Sequence, residues 1–186
     1  MDFRTCTRRD YDKVIETIRV VTLASLYRMK REKNKITLKR SEERIISIFD
    51  ELALGCDSSF KRLVDILSVY RPDMGFETVL STILDDMFND KIYSWGRIAV
   101  AMTFAYYLAL TVIERDSKSV VTIEQLSETA GIVIGLRVAP WIVSVGGWDA
   151  FIAAYTPKTD WRVLQYAATI FISVTVVIIA ITHICR

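Results

Sequence analysis

The chain has 186 residues, 52% hydrophobic and 25% charged, and a formal net charge of +2, which fits one folded domain with a sizeable core and excludes a disordered chain. Nearly balanced charge excludes a nucleic-acid partner, which needs a clustered basic excess. The three cysteines, Cys6, Cys56 and Cys185, are far apart and lack CxxC spacing, so neither a disulfide framework nor a zinc site is expected, although Cys6 or Cys56 could join a homodimer under oxidation.

The amino terminus, MDFRTCTRRDYDK, carries charges where a signal peptide needs an apolar stretch. Tyr11, Val14, Ile15, Ile18, Thr22, Leu26 and Met29 then recur at helical steps and predict a first amphipathic helix. From Arg28 to Arg40 seven basic residues and one acidic residue form an interhelical loop, the alternative being a contact with anionic headgroups. Ser41 offers an N-cap to a second helix striped by Ile45, Ile48, Phe49 and Leu52 and expected to end at Gly55. Phe60, Leu63, Val64 and Leu67 predict a short third helix, broken by YRPDMG at 70–75. Phe76 to Phe88 keeps the helical spacing throughout.

Sixteen uncharged residues from Ile98 to Ile113 predict a central core helix, apolar on every face. Another helix is expected from about Val120 to Val138, ended by Pro140. Short pieces Trp141–Val145 and Trp148–Tyr155 should then flank a Gly146-Gly147 turn. The fold class is therefore all-α, with amphipathic helices around a hydrophobic hairpin. Residues 1–160 form the cytosol-facing domain and 161–186 a tail. Within the tail, Val163 to Cys185 has no Asp, Glu, Lys or Arg; as a helix it would extend about 34 Å, enough to cross a bilayer. A transmembrane tail anchor is expected, with a buried carboxy-terminal helix as the alternative because Thr169, Ser173 and His183 dilute the apolar signal.

Two stretches add a resemblance. SWGRIAVAMTF, from Ser94 to Phe104, resembles the first homology motif of the Bcl-2 family of apoptosis regulators, and WIVSVGGWDAFIAAY, from Trp141 to Tyr155, resembles the second. Ser94 stands where Asn is usual, Lys91 and Ala105 where Gly is usual, and the third motif is degenerate. Its preferred register uses Ile45, Ile48, Asp50 and Leu52, supported by Phe60; a register from Leu52 to Asp57 is the alternative. The spacing from Asp90 to Trp95 resembles the myeloid-cell-leukaemia and avian Nr branches, and the short chain resembles a viral homologue more than a cellular one.

The resemblance implies a groove that takes the third-motif (BH3) helix of pro-apoptotic relatives, lined by Leu52, Phe60, Leu63, Ile83, Met87, Val100 and Phe104, with Tyr155 near its end. Arg97 would pair with the partner's aspartate, Gly96 would let the partner approach and Ser94 would cap the central helix. In the residues themselves, an arginine near a helix amino end needs a compensating carboxylate; Asp90 or Asp149 of the same chain is the alternative to a partner. Trp95, Trp141 and Trp148 read as large apolar ties to the core, and Asp85, Asp86 and Asp90 as a solvated helix face. No catalytic set, cofactor site or metal site is expected, nor enzyme activity. Because Phe49 stands where close helix docking needs a small residue, the implied function is anti-apoptotic, blocking mitochondrial outer-membrane permeabilisation. A location at the mitochondrial outer membrane or endoplasmic reticulum follows. A pore-forming executioner and a tail-anchored adaptor are the alternatives.

Overall fold

The computed structural model describes residues 7–30, 36–70, 75–115 and 121–155, leaving aside the side chains of 52–59 and 65–70. The expected tail anchor with His183, Cys6, Cys185 and the side chains of Cys56 and Leu52 lie outside the described residues, as do residues 31–35 of the basic loop and 71–74 of the expected YRPDMG break. The described residues form six helices and no strand: α1 Arg8–Met29, α2 Arg40–Tyr70, α3 Phe76–Phe88, α4 Trp95–Arg115, α5 Ile123–Ser144 and α6 Gly147–Ala154.

Local chemistry sets the helix starts. The Asp10 carboxylate takes both the N–H and the hydroxyl of Thr7 at 3.1 and 2.7 Å, opening α1. Thr122 and Gln125 exchange reciprocal bonds of 2.9 and 3.2 Å, so α5 starts at Ile123, slightly later than the apolar pattern implies. Ser41 does not cap α2. Glu42 reaches back to the Lys39 N–H at 2.8 Å, which places the helix entry at Lys39 and Glu42 in its first turn.

Two expected breaks are absent. Gly55 does not end a helix, because α2 runs unbroken through it to Tyr70. Phe49 and Phe60, both buried, stand eleven residues apart, close to three turns of about 3.6 residues each, so one continuous helix keeps them on one face. An interior glycine costs only about 1 kcal/mol against that burial. Pro140 likewise lies inside α5. Pro140 has no N–H to give the Leu136 carbonyl, and the helix continues through it to Ser144. The Gly146-Gly147 turn is present, with φ of +106° and +73°.

α4 is the centre. Its residues from Ile98 to Ala105 are buried without interruption, and α1, α2, α3 and α5 all pack against it. Fully buried Phe60, Phe104 and Phe151 fill much of the core between them. α4 and α5 are each long and apolar enough to cross a membrane, though most of each is buried in the bundle.

The broadest interface joins α1 to α5, and two glycines permit it. A Cβ at Gly135 would lie 2.5 Å from Cγ1 and 3.1 Å from Cα of Ile15; one at Gly131 would lie 2.9 Å from Cβ of Arg19 and 3.0 Å from the Ile15 carbonyl oxygen. Their spacing of four places both on one helix face, as in close-packed glycine interfaces. At the far end of the same interface the Tyr27 hydroxyl donates to Glu124. We expect Gly135→Ala and Gly131→Ala each to destabilise the fold by about 1–3 kcal/mol, the usual range for overpacking. In urea unfolding, Ile15→Ala should partly rescue the first, whose nearest clash is with the Ile15 side chain, and not the second, which meets backbone and Arg19.

Candidate functional site

Where α3 ends and α4 begins, two helix termini with opposite needs come together. The last carbonyls of α3 lack helical partners and the first N–H groups of α4 lack theirs. Ser94 meets the second need: its hydroxyl accepts from the Arg97 N–H at 3.3 Å and its carbonyl from the Ile98 N–H at 3.1 Å, so it is the N-cap of α4. Arg97 meets the first. Its Nη1 donates to the carbonyl of Met87, in the last turn of α3, at 3.2 Å, and to that of Ile92 at 2.9 Å. A cation at a helix carboxyl end is favourable, so α3 offsets what the arginine costs α4.

The same Nη1 donates to Oδ1 of Asp90 at 2.6 Å. Of the carboxylates left open by the sequence, Asp90 forms an ion pair with Arg97, while Asp149 sits exposed on α6. Asp90 also accepts from the Ile92 N–H at 2.9 Å. The Arg97 hydrogen bond first, then the Ile92 N–H, hold its carboxyl below the ordinary aspartate range. Between them Lys91 adopts φ of +55°, a left-handed conformation that favours glycine.

Gly96 is partly exposed beside Arg97, and a methyl group there would meet nothing nearer than Oγ of Ser94 at 3.9 Å. Nothing within the described chain demands a glycine at this point, in contrast to Gly131 and Gly135.

The residues expected to line an open groove are packed inward. Phe60, Leu63, Ile83, Met87, Val100 and Phe104 are all buried and belong to one hydrophobic cluster. Phe60 stacks on Tyr107 with ring centres 5.5 Å apart. Tyr155 packs on Phe151 at 4.7 Å, and burial pushes its hydroxyl pKa up to about 12. Among the described residues α2 and α3 both pack against α4. Trp95, Trp141 and Trp148 act as ties. Trp95 meets Trp141 at 4.8 Å, Trp148 at 6.0 Å and Phe151 at 5.3 Å, joining α4, α5 and α6.

The acidic residues of α3 and of the turn after it do not act together. Asp85 accepts from Arg137 of α5 at 2.7 and 2.9 Å, a clamp that also includes Ser81, whereas Asp90 serves Arg97. The Arg137 clamp escaped the sequence reading because 52 residues separate its members. The Gly131 and Gly135 pair also escaped it, although their spacing of four was visible.

Residues 45–148 match the sequence family described as apoptosis regulator proteins of the Bcl-2 family, which is more than half of the chain. The chain belongs to the Bcl-2 family. Among curated members it is similar to Bcl-2-like protein 1 of Sus scrofa and of Homo sapiens, 24% identical over 106 residues, or 57% of this chain and 43% of each relative. It is also similar to apoptosis regulator Bcl-2 of Cricetulus griseus, 29% identical over 78 residues, or 42% of this chain and 32% of that one. The aligned part thus spans less than half the length of these relatives. In structure it is similar to the zebrafish pro-survival protein NRZ, solved as a complex with Bad BH3, with a TM-score of 0.61, 17% identity and coverage of 78% of this chain and 94% of that one. At that identity the likeness is one of fold. The Bcl-2 family match contains Ser94, Gly96, Arg97 and Asp90 and stops short of Tyr155.

Two measurements check this junction. Carboxyl NMR should find the titration midpoint of Asp90 below the ordinary 3.8, rising toward it in Arg97→Ala; because the folded value is depressed, the pair's contribution is present above about 3.8 and is lost as pH falls through the folded value. Lys91→Gly should raise unfolding stability by about 0.5 to 1 kcal/mol, the left-handed strain relieved less the entropy of a freer unfolded chain.

Proposed function

We propose that this Bcl-2 family chain is an anti-apoptotic regulator that holds the BH3 helix of pro-apoptotic relatives in a groove between α2 and α3, over α4, and so blocks permeabilisation of the mitochondrial outer membrane. The observation that carries this reading is the pairing of Gly96 and Arg97 at the mouth of that groove. The glycine has no steric cause inside the described chain. The arginine is aimed at a carboxylate, and a guanidinium fixed by backbone carbonyls can take a partner's aspartate with defined geometry. An amphipathic helix entering an apolar groove is a recurring recognition mode, and a charge pair at the rim sets its register.

The sign of the activity is supported by what the third motif is doing. Ile45, Ile48 and Phe49 are buried, and Phe49 stacks on Phe151 with ring centres 5.5 Å apart. Asp50 is engaged by Arg28 of α1 at 2.5 Å, while burial raises its pKa. A motif whose apolar face and acid are both used at home is poorly placed to dock in a neighbour's groove, which favours a holder of BH3 helices over an executioner. Val163 to Cys185 would anchor the chain in the mitochondrial outer membrane or the endoplasmic reticulum, facing the cytosol.

The test is a titration of the full chain with a fluorescent Bad BH3 peptide and its Asp→Ala version. We expect sub-micromolar binding, weakened about tenfold by Arg97→Ala or by the peptide change, with little further loss when both are made. Gly96→Ala should weaken binding while leaving unfolding stability essentially unchanged. Absence of binding would remove the groove reading, and faster cytochrome c release from mitochondria carrying the chain would reverse its sign.

A further inference from the structure

The guanidinium of Arg97 is held in two different ways. Its bonds to the Met87 and Ile92 carbonyls, 3.2 and 2.9 Å, run to main chain fixed by the last turn of α3 and by the turn that follows it. Its bond to Asp90, 2.6 Å, runs to a side chain that is 44% exposed, against 21% for the arginine itself. The carbonyl contacts therefore fix where the cation sits, and the carboxylate covers it from the solvent side. Asp90 in turn has a second hold: the Ile92 N–H bonds the same oxygen at 2.9 Å and keeps the carboxylate in its own turn. Giving up the guanidinium would leave neither group without a main-chain partner.

From this geometry we infer that Asp90 is an internal competitor for the carboxylate of the incoming helix, and that its presence sets how strongly the groove depends on an acidic residue in its ligand. This inference rests on the groove reading above. An aspartate brought by a partner meets a cation whose charge Asp90 has already neutralised. Part of the attraction between Arg97 and a ligand acid is thereby spent inside the chain before the ligand arrives. The residues that present Asp90, Asn89 and Lys91, lie in an exposed turn with Lys91 left-handed, so the carboxylate is presented by a segment that nothing buries.

The test compares the full-length wild type with Asp90→Asn, whose amide oxygen still accepts the Ile92 N–H, against the Bad BH3 peptide and its Asp→Ala version. Asp86→Asn, an exposed acid on α3, controls for the change in net charge. Asp90→Asn should tighten the Asp-containing peptide about two- to fivefold, the scale of a largely exposed pair. It should leave the Asp→Ala peptide unchanged, and Asp86→Asn should not reproduce the gain. On the wild type, the side-chain carboxyl 13C signal of Asp90 should shift when the Asp-containing peptide is added and stay in place with the other. Equal or weaker binding by Asp90→Asn, a gain matched by Asp86→Asn, or an unmoved Asp90 signal at saturation would each overturn the inference while the groove reading stands. Failure of wild type to bind either peptide would overturn both.

Discussion

A helix with no polar face has to be surrounded, and α4 is such a helix. Eight successive residues, Ile98 to Ala105, are closed to water, and α1, α2, α3 and α5 lie where they do because each covers part of that surface. The requirement reaches beyond α4 itself. For α1 to close its side it must come almost into backbone contact with α5, which two glycines at 131 and 135 allow. For α2 to cover its share it must run as one long helix, which the matched faces of Phe49 and Phe60 secure despite Gly55.

Covering stops at the amino end of α4, where Trp95, Gly96 and Arg97 are partly open. Here the electrostatics of two helix ends meet. Arg97 is unfavourable to the dipole of its own helix and favourable to that of α3, whose Met87 carbonyl it caps. One side chain thus fastens α3 to α4 and also carries the site's positive charge. A neutral donor could cap the carbonyl but would not bring the charge that favours the carboxyl end of α3.

The apolar groups expected to receive a ligand are packed into the core of the unliganded chain. A ligand helix would gain by burying its own apolar anchors, and it would have to displace neighbours that already bury these residues. Among the described residues α2 and α3 each pack against α4. The aromatic ties among Trp95, Trp141, Trp148 and Phe151 hold the opposite side of the junction together.

The sequence by itself determined the helical class, the central apolar helix, the cap at Ser94, the glycine turn at 146–147 and the motif that marks Gly96 and Arg97. These depend on near neighbours in the chain, or on periodicity within one element, and so can be read along it. Helix continuity was harder: Gly55 and Pro140 are breakers locally, yet α2 runs through the first, with Phe49 and Phe60 buried on one face, and α5 runs through the second. Tertiary structure alone decided which acid holds Arg97, that Asp85 is claimed by Arg137, and that the residues expected on a groove floor lie inside. Each of these depends on which helix faces which, a matter of packing shape and distance that composition and spacing do not encode.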